Sequence, residues 1–231
     1  MKKLQLAIIA AALVIAAQAN ASISISSLNT GAGQYGVNYT PPGGFSDPNW
    51  TVSLDSSTGT PPGGNPTGTA YLVPNNIGFP FGYWIDNDST STWITYSSPT
   101  QTGGDTTADT FRYEMKFTAA GTGTDYVRWL SDNTSSLFLN NSLIGTRTDA
   151  SNPDGAWNLP FALSLTSGTQ YTVDVVVYNE PQGSGNPTGA RVEFTGNVSA
   201  VPEPTTMIAG ALLLLPFGAS TIRILRRKNA A

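Results

Sequence analysis

The chain has 231 residues, of which 11 are Lys or Arg and 15 are Asp or Glu, with neither Cys nor His. Without thiols or imidazoles, cysteine nucleophiles, Ser-His-Asp triads and nearly all zinc sites are excluded, leaving carboxylates, Lys, Tyr and hydroxyls for any catalysis. Charge is uneven: six of the 11 basic residues (Lys2, Lys3, Arg223, Arg226, Arg227, Lys228) and one of the 15 acidic ones (Glu203) lie at the two ends, leaving a body near −9 that is a poor partner for nucleic acid.

Lys2 and Lys3 precede an apolar run from Leu4 to Ala17 and an A-x-A site at Ala17-Gln18-Ala19 or Ala19-Asn20-Ala21. That order is a secretory signal peptide over residues 1–21, a helix processed by signal peptidase after passage through Sec machinery and excluded from the fold. The remaining body, residues 22–200, suits one domain and is long enough for a core without covalent staples.

Ser22–Ser27 alternates Ser and Ile and predicts a strand, as does Trp50–Leu54. Gly31–Gly44 and Asp55–Gly68 are rich in Gly, Pro, Ser and Thr and read as loop. Thr69–Val73 and Ser91–Tyr96 read as extended. Phe111–Phe117 alternates apolar and polar side chains without exception, as a strand with one face in the core requires. Tyr126–Asp132 follows, then two short apolar runs around Asn140-Asn141-Ser142, where Asn tolerates the positive φ of a tight hairpin. Ala162–Leu165 and Tyr171–Tyr178 flank a turn at Thr166–Thr169, and Arg191–Phe194 closes the body. About nine short strands, frequent turn signals and no amphipathic helix predict an all-β fold, an antiparallel jelly-roll β-sandwich. Gly64-Asn65-Pro66-Thr67-Gly68 recurs as Gly185-Asn186-Pro187-Thr188-Gly189, each before a strand; Pro fixes φ and Gly permits positive φ, so turn chemistry is the favoured reading over a pair of ligand loops.

The chain ends in Val201-Pro202-Glu203-Pro204, an apolar run that predicts a transmembrane helix over about residues 205–222, and a basic tail of Arg223, Arg226, Arg227 and Lys228 that would stay cytoplasmic. These three parts in this order resemble a PEP-CTERM sorting signal. The resemblance implies an exported bacterial protein held in the inner membrane with its body in the periplasm, and an exosortase-type transpeptidase that acts at the motif. The mature form would then lie at the cell surface or outside the cell. An unprocessed single-pass anchor is the alternative. Asp47-Pro48 before Trp50, Trp93-Ile94, the Phe111–Phe117 strand, Trp129 before Asp132-Asn133, the Asn140 hairpin and Asn186–Gly189 together resemble the β-sandwich ectodomain of such proteins, similar in outline to galactose-binding-like and carbohydrate-binding jelly rolls. That resemblance implies a fold and an association with exopolysaccharide and biofilm matrix, with no ligand residues to carry over.

Tyr83, Trp84, Trp93 and Tyr96, with Asp86, Asn87 and Asp88 among them, could form a sugar-binding surface, since aromatic faces pack on pyranose C–H bonds and carboxylates or amides bind hydroxyls; core aromatics are the alternative. Asp86 and Asp88 offer oxygens for a structural calcium, with Asp132-Asn133 as a second candidate. Neither loop has the pattern of an EF-hand. Glu114, Glu193 and Asp174 could serve a glycoside hydrolase, although charged residues on alternating strands are usually only solvated. The expectation is a non-catalytic structural or adhesive module that interacts with exopolysaccharide. A passive self-associating matrix protein is the second reading, and a carboxylate-based hydrolase the third.

Overall fold

The alternation at Phe111–Phe117 marks the centre of the longest strand in the computed structural model. The structure describes residues 22–32, 45–61, 64–66, 68–75, 80–97, 107–148, 157, 159–181 and 187–202. These form β1 (Ile23–Ser24), a 3-10 turn (Ile25–Leu28), β2 (Thr51–Ser57), β3 (Tyr71–Leu72), β4 (Ile94–Thr95), β5 (Asp109–Ala119), β6 (Gly123–Asp132), β7 (Thr134–Leu139), β8 (Ser142–Arg147), β9 (Phe161–Leu165), β10 (Gln170–Asn179), β11 (Gly189–Phe194) and β12 (Ser199–Pro202). All pair antiparallel in two sheets. Sheet A runs β1-β12-β5-β10-β7-β8, with β2 also paired to β5, and sheet B runs β3-β4-β11-β6-β9.

β10 covers one side of β5 along its length, while β2 and β12 share the other, β2 opposite Asp109–Glu114 and β12 opposite Phe117–Ala119. Alternation turns Phe111, Tyr113, Met115 and Phe117 inward with Val173, Val175 and Val177 of β10. They meet Val127 and Trp129 of β6 and Val192 and Phe194 of β11 to form the main core between the sheets. A second, smaller cluster (Val73, Trp84, Trp93, Leu130) joins part of sheet B to the segment that precedes β4.

The predicted strand at Ser22–Ser27 is only half correct. Ile23–Ser24 pairs with β12, but Ile25–Leu28 winds into a 3-10 turn because Ile25 and Leu28, three residues apart, then point the same way into the core. The Asn hairpin forms as expected, with φ of 49° at Asn140 and 64° at Asn141. The two Asn-Pro-Thr-Gly copies differ. Gly68 has the expected positive φ of 92°, whereas Gly189 is required by space: a Cβ there would stand 2.8 Å from both the Ile94 carbonyl oxygen and the Trp84 ring.

The predicted signal peptide, residues 1–21, and everything from Glu203 onward lie outside the described residues. That includes Pro204, the span 205–222, Arg223, Arg226, Arg227 and Lys228. Among the described residues no helix is long and apolar enough to cross a membrane. Val201 and Pro202, the first half of the sorting motif, end β12 opposite Thr118 and Phe117.

Gly189→Ala is expected to destabilise the fold by about 1–3 kcal/mol through overpacking, against about 1 kcal/mol for Gly68→Ala through backbone strain. Urea midpoints of the two variants check the ranking.

Candidate functional site

The four aromatic candidates do not form one exposed platform. Trp84 is 3% exposed, Trp93 0% and Tyr96 7%, and only Tyr83, at 71%, faces solvent. Trp84 and Trp93 stack on each other at 4.2 Å, and Tyr96 stacks on Phe111 at the same distance. Their polar ends are satisfied internally: Trp84 Nε1 donates to Asp132 Oδ2 at 2.8 Å and Trp93 Nε1 to the Ile85 carbonyl at 2.9 Å. Rings this large contribute most when both faces are dry, which is why they fill the second cluster.

The acidic loop already holds a cation, and it is Arg191. Asp88 Oδ1 accepts the amides of Thr90 and Ser91, while its Oδ2 lies 2.7 Å from Arg191 Nη2; the Asp86 carbonyl accepts Arg191 Nη1 at 2.7 Å. Burial works to raise the Asp88 carboxyl, but the Thr90 amide and the guanidinium outweigh it and hold it below the usual range. Asn87 pins the loop, donating to the Val73 carbonyl at 2.6 Å and accepting the Trp93 amide at 2.7 Å. Asp132, the second calcium candidate, binds Trp84 and Asn133 instead. Among the described residues no three acidic side chains gather as a metal site, and Asp88 and the Asp86 carbonyl are engaged by Arg191.

Two of the three hydrolase candidates, Glu193 and Asp174, are buried rather than solvated as the alternation suggested, while Glu114 stays partly exposed. Glu193 is fully buried: Oε1 accepts the Ser91 hydroxyl at 2.7 Å, and Oε2 accepts Arg128 Nε at 2.8 Å and Nη2 at 2.5 Å. Arg191, also fully buried, donates through Nε to Ser91 Oγ at 2.6 Å; its Nη2 lies 3.5 Å from Glu193 Oε1, with no well-aligned hydrogen bond. Burial depresses the Arg191 guanidinium, with Asp88 and Glu193 opposing. Trp157 lies over both cations, its ring centre 4.4 Å from the Arg128 guanidinium carbon and 5.0 Å from that of Arg191. On the outer side of sheet A, Asp174 stands opposite Glu114 in register, 2% exposed and 3.5 Å from Arg112 Nη1, while Glu114 pairs with Lys116 at 2.7 Å. Each carboxylate is therefore held by a neighbouring cation.

A different arrangement is open to a ligand. A cleft of about 430 Å³ lies where the β5–β6 turn meets the β11–β12 loop, lined by Thr122, Thr124, Tyr126, Thr195, Asn197 and Ser199 with Gly121, Gly196 and Val198. Tyr126 is 45% exposed. The Thr124, Thr195 and Asn197 side chains and the Tyr126 hydroxyl make no hydrogen bond among the described residues, so their donors and acceptors are free. The floor is rigid. Asp125, fully buried, accepts the amides of Tyr126 at 2.7 Å, Gly196 at 2.8 Å and Val198 at 3.2 Å. A Cβ at Gly196 would overlap the Asp125 carboxyl at 2.3 Å, so glycine alone lets the loop close over it. Sequence reasoning placed a strand at Tyr126–Asp132 but missed this site. The available signal was an aromatic at the polar register of that strand, in Thr124-x-Tyr126-x-Arg128.

No family model and no curated protein matches the chain. Solved structures that resemble it include a family 35 carbohydrate binding module from an environmental isolate, at 14% identity and a TM-score of 0.35 over 67% of this chain and 96% of that one. The PA14 sugar-binding domain from an RTX adhesin follows at 13% and 0.25, over 39% and 50%. A β-glucosidase from Kluyveromyces marxianus matches at 15% and 0.31, over 38% of this chain and only 11% of the enzyme. Likenesses this distant assign neither a ligand nor an activity.

Glu193→Ala leaves the buried Arg191 and the half-buried Arg128 short of a carboxylate and is expected to destabilise the protein by about 3–5 kcal/mol, whereas Glu114→Gln changes stability by about 0.5 kcal/mol or less; denaturant titration of both variants checks the contrast. Burial pushes Asp132 from 3.8 up to about 6, against the Trp84 and Asn133 donors and helped by Glu180. A carboxyl with a raised folded-state value stabilises most below its unfolded value and loses that contribution as pH climbs through the folded one. Relative to wild type, Asp132→Asn is therefore expected to gain up to about 3 kcal/mol between pH 4 and pH 7, read from paired unfolding curves across that range.

Proposed function

We propose that residues 22–202 form a non-catalytic jelly-roll module that binds neutral carbohydrate in the Tyr126 cleft. The observation that carries the proposal is the uncharged cleft itself, in which an exposed ring stands among hydroxyl and amide groups without protein partners on a floor locked by Asp125. An aromatic face accepts the C–H face of a pyranose, and Thr124, Thr195 and Asn197 supply the donors and acceptors its hydroxyls need. Preorganisation by Asp125 lowers the ordering cost of binding. A purely binding role is supported by the state of the carboxylates: Glu193 sits between two arginines and Asp174 beside Arg112, arrangements that favour structure over proton transfer.

The wider setting rests on the sequence ends. The apolar leader, the Pro-Glu-Pro motif, the second apolar run and the basic tail would send this module to the cell envelope or matrix, with an exosortase-type enzyme acting at the motif. Exopolysaccharide is the polymer such a module would meet there, and Tyr83 offers a further exposed ring.

Self-association is the second reading, and one observation favours it. Among the described residues β8 is the last strand of sheet A; it carries Leu143 at 57% exposure, and its charged residue, Arg147, is buried and donates to the Trp129 carbonyl at 2.7 Å. Edges without exposed charge are open to pairing with another copy.

Tyr126→Ala is expected to weaken retention on neutral polysaccharide by about tenfold or more while the melting temperature stays put, as read by affinity electrophoresis and thermal scanning. Unchanged retention would rule the cleft out, and concentration-dependent assembly without any glycan affinity would favour the β8 reading.

A further inference from the structure

We infer that the bound carbohydrate is a neutral chain rather than a single terminal sugar, laid along the outer side of sheet B with consecutive units against Tyr126 and Trp157. The inference rests on the cleft reading and extends it to a second ring and a ligand class. Residues of β6 alternate: Asp125 and Val127 point inward with no exposure, so Thr124, Tyr126 and Arg128 project from the opposite side. Tyr126 and Arg128 are thus neighbours about 7 Å apart along the strand. Trp157 lies over the Arg128 guanidinium at 4.4 Å, so its ring stands over the outward residue next along the strand from Tyr126.

Arg128 is held in a particular way. Nε and Nη2 both donate to Glu193 Oε2, the side chain is 32% exposed, and Nη1 has no partner among the described residues. The carboxylate fixes the plane of the guanidinium and leaves Nη1 over. Trp157 is also preset, since a second cation, Arg191, lies 5.0 Å from its centre, and it is only partly buried at the rim of the Trp84–Trp93 cluster. A ring bound to two cations loses little freedom when a sugar arrives. Beyond Arg128 the next outward residue, Leu130, is fully buried in that cluster, so the track closes there and stays open toward Thr122 and Thr124.

Charge selects the class of chain. Arg128 and Arg191 are balanced by Glu193 and Asp88, and the cleft lining carries no charge. The body as a whole is acidic, so a polyuronate is repelled at long range and finds no net positive pocket. A neutral chain meets no such penalty.

The test is a series of mono-, di-, tri- and tetrasaccharides cut from a neutral polysaccharide that the protein retains, titrated calorimetrically against wild type, Tyr126→Ala, Trp157→Ala and Trp157→Leu, with a polyuronate as competitor. The leucine variant keeps apolar packing at the rim while removing the ring. Affinity is expected to rise about tenfold on passing from one unit to two or three. Either Trp157 variant should abolish that rise and keep monosaccharide affinity within about twofold, Tyr126→Ala should remove both, and polyuronate should not compete. Affinity independent of length, a length gain that survives in folded Trp157→Leu, or competition by polyuronate would overturn the inference and leave the cleft reading standing. Absence of binding by any member of the series would overturn both.

Discussion

A fully buried carboxylate, Glu193, governs the organisation of sheet B. Left alone in a dry setting it would be prohibitively unfavourable, and the chain answers by bringing Arg128 across from β6, Arg191 from two residues away on β11, and the Ser91 hydroxyl from the loop ahead of β4. Each partner brings something with it. Ser91 and Asp88 draw the segment ahead of β4 down onto the sheet, and the two guanidiniums form a bed for Trp157. The outer side of sheet B is therefore covered over much of its length, with polar interactions in the middle and the Trp84–Trp93 stack at one end.

What remains uncovered is the other end, and the open cleft follows from that division. Among the described residues sheet A has no equivalent cover: its outer side carries paired charges such as Arg112 with Asp55 at 2.7 Å and Lys116 with Glu114 at 2.7 Å. Such exposed pairs contribute little to stability. They give that side a charged surface, in contrast to the uncharged cleft beside Tyr126.

The sequence was most legible where one physical demand acted alone. β5 was readable because its inner side packs in the main core while its outer side is polar, and the Asn140-Asn141 turn because few other residues adopt two successive positive φ angles. It misled where a distant segment changed the setting. Glu193 looks solvated on an alternating strand, yet Ser91 from a distant loop, with Arg128 and Arg191 under Trp157, stands around it and it is buried. Trp84, Trp93 and Tyr96 lie among Asp and Asn residues and so resemble a wet surface, yet those polar neighbours serve to tie the loop while the rings pack inward. The Ile25–Leu28 turn shows the same limit at small scale, since period two and spacing three coincide in Ser-Ile-Ser-Ile-Ser-Ser-Leu and only the packing of Ile25 and Leu28 decides between them.

Asp125 gathers three main-chain amides from two separate stretches of chain, and Asp47 does likewise with those of Gly31, Asn49 and Trp50. These carboxylates tie remote loops together as cystine bridges do in many small exported folds, but without sulfur. Such ties need no oxidant to form and no isomerase to correct mispairing. They are complete as soon as the chain has folded, and the cross-linking of this sandwich is the same in a reducing medium as in an oxidising one.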